Sequence, residues 1–152
     1  MSRTVRVVVV CVLQLVLVGA AVAPSLSARV TGQEYVLEVA PVDPIDPFRG
    51  AYVTLDYPGL VQPEEPREEG TVFVPLVQAG DVWRGGVPQR DRPSSGPYLR
   101  CEADFRLRCG IESLFASQET ARRLERQLAE GAVARVKVDG RGNAAVVGVE
   151  PR

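Results

Sequence analysis

The chain contains no histidine, and its only lysine is Lys137. A Ser-His-Asp triad, a Cys-His nucleophile pair and a histidine-containing zinc site are therefore excluded. Cysteine is scarce as well. Of three cysteines, Cys11 lies in the N-terminal apolar run, and the other two are too few to bind zinc through thiolates alone. These absences lead us to predict no catalytic residues, no metal and no cofactor, and they weigh against an enzyme.

Basic residues are also fewer than acidic residues after residue 28. Arg3 and Arg6 account for two of the 18 basic residues, so residues 29–152 carry 16 basic against 19 acidic residues and a net charge of −3. A nucleic-acid partner is not expected, because neutralising phosphates requires a basic face. The 12 prolines and 14 glycines favour short strands and many turns, and the apolar fraction of 45% is enough for one core.

Charge is absent altogether from Val7 to Ala28, a run of 22 residues. As a helix rising about 1.5 Å per residue it spans about 33 Å, close to the hydrocarbon core of a bilayer. Arg3 and Arg6 place positive charge at the N-terminal flank, which keeps that end in the cytoplasm. We therefore expect a single-pass protein of the cytoplasmic membrane. Residues 1–28 form the anchor in the lipid bilayer, and residues 29–152 lie in the periplasm or at the cell exterior.

A cleaved signal peptide is the alternative interpretation of this run, and cleavage would release a secreted soluble domain. Ala21-Val22-Ala23 matches the A-x-A pattern of a cleavage site, and Ser25-Leu26-Ser27 is a weaker second match. Pro24 follows the first match directly and would hinder cleavage there. The uncleaved anchor is therefore the favoured interpretation.

Residues 29–152 show the alternation typical of β-strands, together with one amphipathic helix. We predict an α+β domain of mostly antiparallel β-structure, in addition to the N-terminal transmembrane helix. The amphipathic helix follows Ser117 as its N-cap, carries apolar residues at helical spacing and ends at Gly131. Strands are expected at 33–40, 52–57, 71–77, near Val82 and Trp83, at 98–102, 105–111, 133–138 and 144–149.

The two cysteines outside the apolar run lie on the arms of one predicted hairpin. In an antiparallel pairing centred near residue 105, Cys101 and Cys109 face each other. An oxidising compartment favours a disulfide between them, which would add roughly 2 to 3 kcal/mol in the chain-entropy model. Two free thiols in register are the alternative, because directly opposed strand positions are geometrically demanding for a disulfide.

The most distinctive segment runs from Pro41 to Tyr57, where three prolines punctuate the approach to an alternating strand. It is similar to the signature P-V-D-P-x-D-x-x-R-G-D-Y-V-x-L-x-Y of the bacterial GDYXXLXY family, whose members carry it after one N-terminal membrane span. The later segment from Gly110 to Phe115 is similar to the family's G-I-E-x-Y-F region. The matching residues of this chain are Asp43, Asp46, Arg49, Gly50, Tyr52, Leu55, Tyr57, Gly110, Ile111, Glu112 and Phe115.

Two positions depart from the family pattern. Ala51 stands where the signature has aspartate, and Leu114 stands where an aromatic residue is usual. If that aspartate were an essential acid, this chain would be inactive. The resemblance implies a membrane-anchored, β-rich extracytoplasmic protein, and it implies no particular activity or cofactor.

The first hypothesis of function is a noncatalytic interaction or assembly module for a membrane or envelope protein. Asp43 and Asp46 then act as caps of backbone turns, and Arg49 pairs with one of them. Tyr52 or Tyr57 offers a contact surface. This hypothesis is favoured because aspartate followed by proline in a turn is usually a cap.

The alternative hypothesis is an enzyme that works with carboxylates, or a protein that binds a metal ion or a small ligand. Its candidate residues are Asp43, Asp46 and Glu112. Carboxylates are the right groups for acid-base catalysis and for a hard metal ion. The sequence alone does not bring these three side chains together in space.

Overall fold

The computed structural model describes residues 2–41, 52–60, 69–104, 106–115 and 131–152. Within these ranges the chain forms one long helix and nine strands, which make the expected mostly antiparallel sheet. The helix predicted after Ser117 lies outside the described residues. The elements are α1 Arg3–Thr31, β1 Gln33–Pro41, β2 Tyr52–Asp56, β3 Gly70–Ala79, β4 Val82–Gly85, β5 Tyr98–Ala103, β6 Leu107–Arg108, β7 Ser113–Phe115, β8 Ala132–Val138 and β9 Ala144–Pro151.

β1 is the central strand of the sheet because it pairs with three others. It runs antiparallel to β8 along most of its length and antiparallel to β2 at its C-terminal end. It also runs parallel to β4 at one position, where Leu37 lies opposite Trp83. The strand order is β6-β5-β3-β4-β1-β2-β7, and β8 and β9 branch from β1. The sheet therefore places β8 between the first strand, β1, and the last strand, β9.

The core follows from the two-residue period of the strands, which places every second side chain on the same face. β8 shows this pattern along its whole length, because buried residues alternate with half-buried ones from Ala132 to Val138. Other strands of the sheet add to the same core. The largest fully buried side chains are Leu37, Val74, Leu99, Cys101, Ile111 and Val136.

The hairpin of β5 and β6 has the predicted register, since Glu102 lies opposite Arg108. Its second arm is shorter than expected and stops at Arg108 instead of continuing to residue 111. Gly110 has a φ angle of +79°, a left-handed conformation that glycine adopts without steric cost and that turns the chain away from β5. The residues that follow form β7 in another part of the sheet.

α1 is long and apolar enough to cross a membrane, and it is the only such helix within the described ranges. It continues through Pro24 to Thr31, three residues beyond the predicted anchor. Its residues up to 26 are exposed, whereas Ala28 is fully buried against the domain. The last turn of α1 is therefore part of the folded domain.

Two observations show how closely the last turn of α1 packs on the hairpin of β8 and β9. The Ser27 hydroxyl donates a hydrogen bond of 2.6 Å to the Asp139 carboxylate in the hairpin turn. At Gly32, a Cβ atom would collide with the carbonyl oxygen of Ala28 and would lie 2.9 Å from the backbone nitrogen of Val138. The chain thus enters β1 through a junction that has no room for a side chain.

Candidate functional site

The two segments that resemble the family signature lie side by side in the structure. β2, which carries the signature strand, pairs antiparallel with β7. The pairing extends one step further, because Leu55 N donates a hydrogen bond of 2.8 Å to the carbonyl of Glu112. Segments that are far apart in the sequence therefore form one structural unit. Their opposed residues are Tyr52 and Phe115, Val53 and Leu114, and Thr54 and Ser113.

Tyr57, the last residue of the signature, is buried and connects the two segments. Its side chain is 5% exposed, and its hydroxyl donates a hydrogen bond of 2.8 Å to the carbonyl of Ile111, which is itself fully buried. Burial raises the pKa of the Tyr57 hydroxyl far above its usual value, and the charge of the nearby Glu112 carboxylate raises it further. The hydroxyl therefore stays protonated at physiological pH and serves as a structural donor.

Glu112 uses its carboxylate to hold the turn before β7. The carboxylate accepts a hydrogen bond from the backbone N–H of Cys109 and another, of 3.0 Å, from that of Gly110. Among the described residues, no three histidine, cysteine, aspartate or glutamate side chains form a group that could hold a metal ion. Hydrogen bonds from backbone N–H groups to a carboxylate are charge-assisted and strong. In this arrangement Glu112 stabilises the turn.

Cys101 and Cys109 form a disulfide bond, with their sulfur atoms 2.01 Å apart. Both residues are buried, so the bond lies within the core. It joins β5 to the turn capped by Glu112, because the Cys109 N–H is one of the two donors to that carboxylate. The disulfide, the Glu112 carboxylate and the Tyr57 hydroxyl all hold the segment 109–112. We call these residues, Tyr57, Cys101, Cys109, Gly110, Ile111 and Glu112, the motif cluster.

The remaining signature residues fall partly outside the described ranges. Leu55 belongs to the core, and half-buried Leu114 packs against the same core at the position where the family usually has an aromatic residue. The backbone of Tyr52 is paired in β2. The capping and contact roles of the segment before β2 stay predictions, because Asp43, Asp46, Arg49, Gly50 and Ala51 lie outside the described residues.

A second feature, which the sequence did not predict, is a groove of about 480 Å³ beside the end of α1. Its lining comes from the end of α1, from β1, from the loop before β5 and from the turn between β8 and β9. Residues 85–97 are rich in proline and glycine, which predicts an irregular loop, but their sequence does not indicate that this loop lines a groove. The polar side chains of the lining include Thr31, Gln33, Arg92, Ser94, Ser95 and Asp139.

Arg92 is held at the groove by two contacts. Its Nη2 atom donates a hydrogen bond of 2.6 Å to the carbonyl of Gly140, and its guanidinium carbon lies 5.3 Å from the centre of the Tyr98 ring. The Tyr98 hydroxyl donates to the same carbonyl at 3.0 Å. The positive charge of Arg92 is therefore positioned by the hairpin turn and by an aromatic ring.

Asp139 is the acidic residue of the groove lining, and its carboxylate already accepts four hydrogen bonds. One oxygen accepts from the backbone N–H groups of Arg141 and Asn143, at 2.9 and 3.0 Å. The other accepts from the Ser27 hydroxyl at 2.6 Å and from the Asn143 side-chain amide at 2.9 Å. Burial alone would raise the pKa of Asp139, but these hydrogen bonds lower it below its usual value. The ionised carboxylate thus organises both the hairpin turn and the end of α1.

A comparison of the whole chain with models of known protein families agrees with the resemblance of the two signature segments. The family model described as GDYXXLXY protein matches residues 14–149, which is most of the chain. The matched range takes in much of α1, both signature segments and the whole motif cluster. No curated protein and no solved structure matches the chain significantly.

Proposed function

The chain belongs to the GDYXXLXY family, and from this membership and the docked helix we propose a single-pass membrane protein with a noncatalytic interaction or assembly module. The module is the domain of residues 29–152, which lies in the periplasm or at the cell exterior. α1 holds it at the cytoplasmic membrane, with the N-terminus in the cytoplasm. The partner is a membrane or envelope protein.

The docking of α1 on the domain is the observation that carries the anchor in this proposal. Ala28 is fully buried, and Ser27 donates to the carboxylate that organises the turn between β8 and β9. Cleavage after Ser27 would remove this donor, and cleavage after Ala23 would cut α1 within its continuous helical stretch. The docking therefore supports the uncleaved anchor over a secreted domain.

The fixed junction also supports a role in assembly. The close approach of Gly32 to Val138, the burial of Ala28 and the hydrogen bond from Ser27 to Asp139 restrict how the domain lies against the end of its own anchor. A partner in the same membrane would then meet a constant face of the domain. Less orientational freedom before association means a smaller entropic cost of binding.

The motif cluster supports a structural role for the signature. The Tyr57 hydroxyl and the Glu112 carboxylate both bond to backbone groups of the same chain. These groups build a stable platform at the end of β2 and the start of β7. The proposed contact with the partner is the proline-rich approach to β2, through Asp46 and Arg49.

Crosslinking in intact cells tests the interaction module. The full-length chain is crosslinked, purified in detergent through an affinity tag and analysed by mass spectrometry, as the wild type and as Asp46→Ala/Arg49→Ala. A matched control is Asp81→Ala/Arg106→Ala, which removes the same two charges from exposed positions elsewhere in the domain.

We expect one specific membrane or envelope protein to be recovered with the wild type and the control, and to be lost with Asp46→Ala/Arg49→Ala. Recovery of the same partner with all three chains would show that the contact is not on this segment. Recovery of no partner by the wild type would contradict the interaction module and favour ligand binding or catalysis.

A further inference from the structure

The groove beside the end of α1 lies at the depth of lipid headgroups, an inference that rests on the proposed anchor. Thr31 ends α1, lines the groove and follows Leu26, the last exposed residue of the uncharged run, by five positions. At about 1.5 Å per residue, Thr31 lies about 7.5 Å beyond Leu26, or about 7 Å along the membrane normal for a helix tilted by about 20°. The headgroup region extends for roughly 5 to 7 Å on each side of the hydrocarbon core. The groove therefore opens among headgroups.

The polar groups of the groove suit a phosphate. Ser94 and Ser95 contribute hydroxyls, and Arg92 contributes a guanidinium, which matches the geometry of phosphate oxygens. The Thr31 hydroxyl is already used, because it donates a hydrogen bond of 2.9 Å to the carbonyl of Ser27. The volume of about 480 Å³ falls within the range of roughly 300 to 1,000 Å³ that is usual for small-molecule sites. This space is sufficient for a headgroup and its phosphate.

The charge at this end of the domain favours an anion. Within the lining, the positive charge of Arg92 is matched by the ionised carboxylate of Asp139, which four hydrogen bonds from the protein hold in the hairpin turn. Two further basic residues lie at the junction, since Lys137 Nζ donates a hydrogen bond of 3.1 Å to the carbonyl of Arg29 in the last turn of α1. Around the lining, three basic residues, Arg29, Lys137 and Arg141, outnumber two acidic ones, Asp91 and the Glu34 that lies opposite Lys137. This end therefore carries a small excess of positive charge, although residues 29–152 carry a net charge of −3. Basic groups next to a membrane attract anionic lipids.

From the depth, the polar groups and the charge, we propose that this groove binds the phosphate of an anionic phospholipid headgroup. The Arg92 guanidinium is the charge partner of the phosphate, and the hydroxyls of Ser94 and Ser95 are its hydrogen-bond donors. A bound headgroup adds a second point of attachment beside α1. It thereby restricts the tilt of the domain relative to the membrane surface.

Native mass spectrometry tests this proposal with the full-length chain in nanodiscs of phosphatidylcholine mixed with phosphatidylglycerol. The measurement counts the phosphatidylglycerol molecules that stay bound when the protein is released. Arg92→Gln removes the positive charge, and Ser95→Glu adds a negative charge to the groove. Arg106→Gln is the control, because it removes the same charge from an exposed position near β6. The fluorescence of Trp83 checks that each variant is folded.

We expect the wild type and Arg106→Gln to retain phosphatidylglycerol. Arg92→Gln and Ser95→Glu should bind it at least about tenfold more weakly, the change expected for the loss of one charge-assisted hydrogen bond. Equal retention by all four chains in the nanodiscs would overturn the headgroup site and leave the anchor intact. A wild-type chain that is not recovered in nanodiscs at all would contradict the anchor, and this inference with it.

Inorganic phosphate distinguishes a lipid headgroup from a free anion. Wild-type protein with bound phosphatidylglycerol is titrated with inorganic phosphate in micelles of a neutral detergent. Lipid that stays bound in a large excess of phosphate supports the headgroup site. Displacement by phosphate at concentrations comparable to that of the lipid would overturn the lipid assignment in favour of free phosphate.

Discussion

Replacing Tyr57 by phenylalanine removes one oxygen atom from the motif cluster and tests whether this cluster stabilises the fold. The hydroxyl donates a hydrogen bond of 2.8 Å to the carbonyl of Ile111, and both residues are buried. A typical hydrogen bond contributes about 0.5 to 1.5 kcal/mol, and a buried carbonyl left without its donor costs about 1 to 3 kcal/mol. We therefore expect Tyr57→Phe to lower the free energy of unfolding by about 1 to 3 kcal/mol at neutral pH.

The pH dependence of stability gives this prediction a second readout. Because the pKa of Tyr57 is raised in the folded state, the unfolded chain loses the phenolic proton first as the pH rises above about 10. The folded chain then binds more protons than the unfolded one. The contribution of this group to the free energy of unfolding is therefore fully present below about pH 10 and falls by up to about 1.4 kcal/mol per pH unit above it. Since Tyr57→Phe has no such proton, its deficit relative to the wild type should shrink as the pH rises above about 10.

Urea unfolding of the full-length chain in detergent micelles, followed by the fluorescence of Trp83, measures both effects. Tyr35→Phe is the control, because its hydroxyl donates to the Gln33 side chain at an exposed site, and it should change the free energy of unfolding by less than about 0.5 kcal/mol. Equal stability of the wild type and Tyr57→Phe at neutral pH would refute the structural role of the hydroxyl. A deficit that stays constant above pH 10 would refute the raised pKa.

Three other predictions concern the helix junction, the disulfide and the carboxylate of the hairpin turn. Gly32→Ala places a Cβ against backbone atoms and should lower the free energy of unfolding by more than about 1 kcal/mol. Gly19→Ala is its control, because a Cβ atom at residue 19 has no neighbouring atom within 4 Å, and it should leave the free energy of unfolding unchanged in the same urea titration. Replacing Cys101 and Cys109 together by alanine should cost about 2 to 3 kcal/mol, and an unchanged thermal midpoint would contradict a stabilising disulfide. Because the pKa of Asp139 is lowered in the folded state, the unfolded chain takes up a proton first as the pH falls. The contribution of Asp139 to the free energy of unfolding is therefore present above about pH 4 and is lost as the pH falls through the lowered pKa. Urea unfolding of Asp139→Asn should therefore show a deficit at neutral pH that disappears in acid, and a deficit of the same size in strong acid would contradict the ionised carboxylate.

Local patterns in the sequence were sufficient to predict the long helix, most strands and the hairpin of β5 and β6. The uncharged run from Val7 to Ala28 lies within α1, and the hairpin is centred near residue 105 as its alternation indicates. These features were predictable because each depends on neighbouring residues, through charge, a two-residue period or turn chemistry. The family resemblance singled out the two segments that form β2 and β7, but it did not predict that they pair with each other.

The contacts that position the candidate site were not predictable because they join distant parts of the chain. Ser27 reads in the sequence as part of a weak cleavage site, since its partner Asp139 lies 112 residues later. The segment Ser113–Phe115 is too short to show a period, and it becomes a strand only because β2 offers it a partner. The groove arises where four separate segments meet, so no single stretch of sequence indicates it.

The intact mass of the mature protein tests the central claim, an uncleaved anchor whose last turn belongs to the domain. The chain carries a C-terminal tag, is purified from the membrane fraction and is measured by mass spectrometry without digestion. We predict a mass that includes all of α1 from Arg3 onward. A mass for a chain that begins at Pro24 or Ala28 would contradict the anchor, because the helix that holds the domain at the membrane would have been removed.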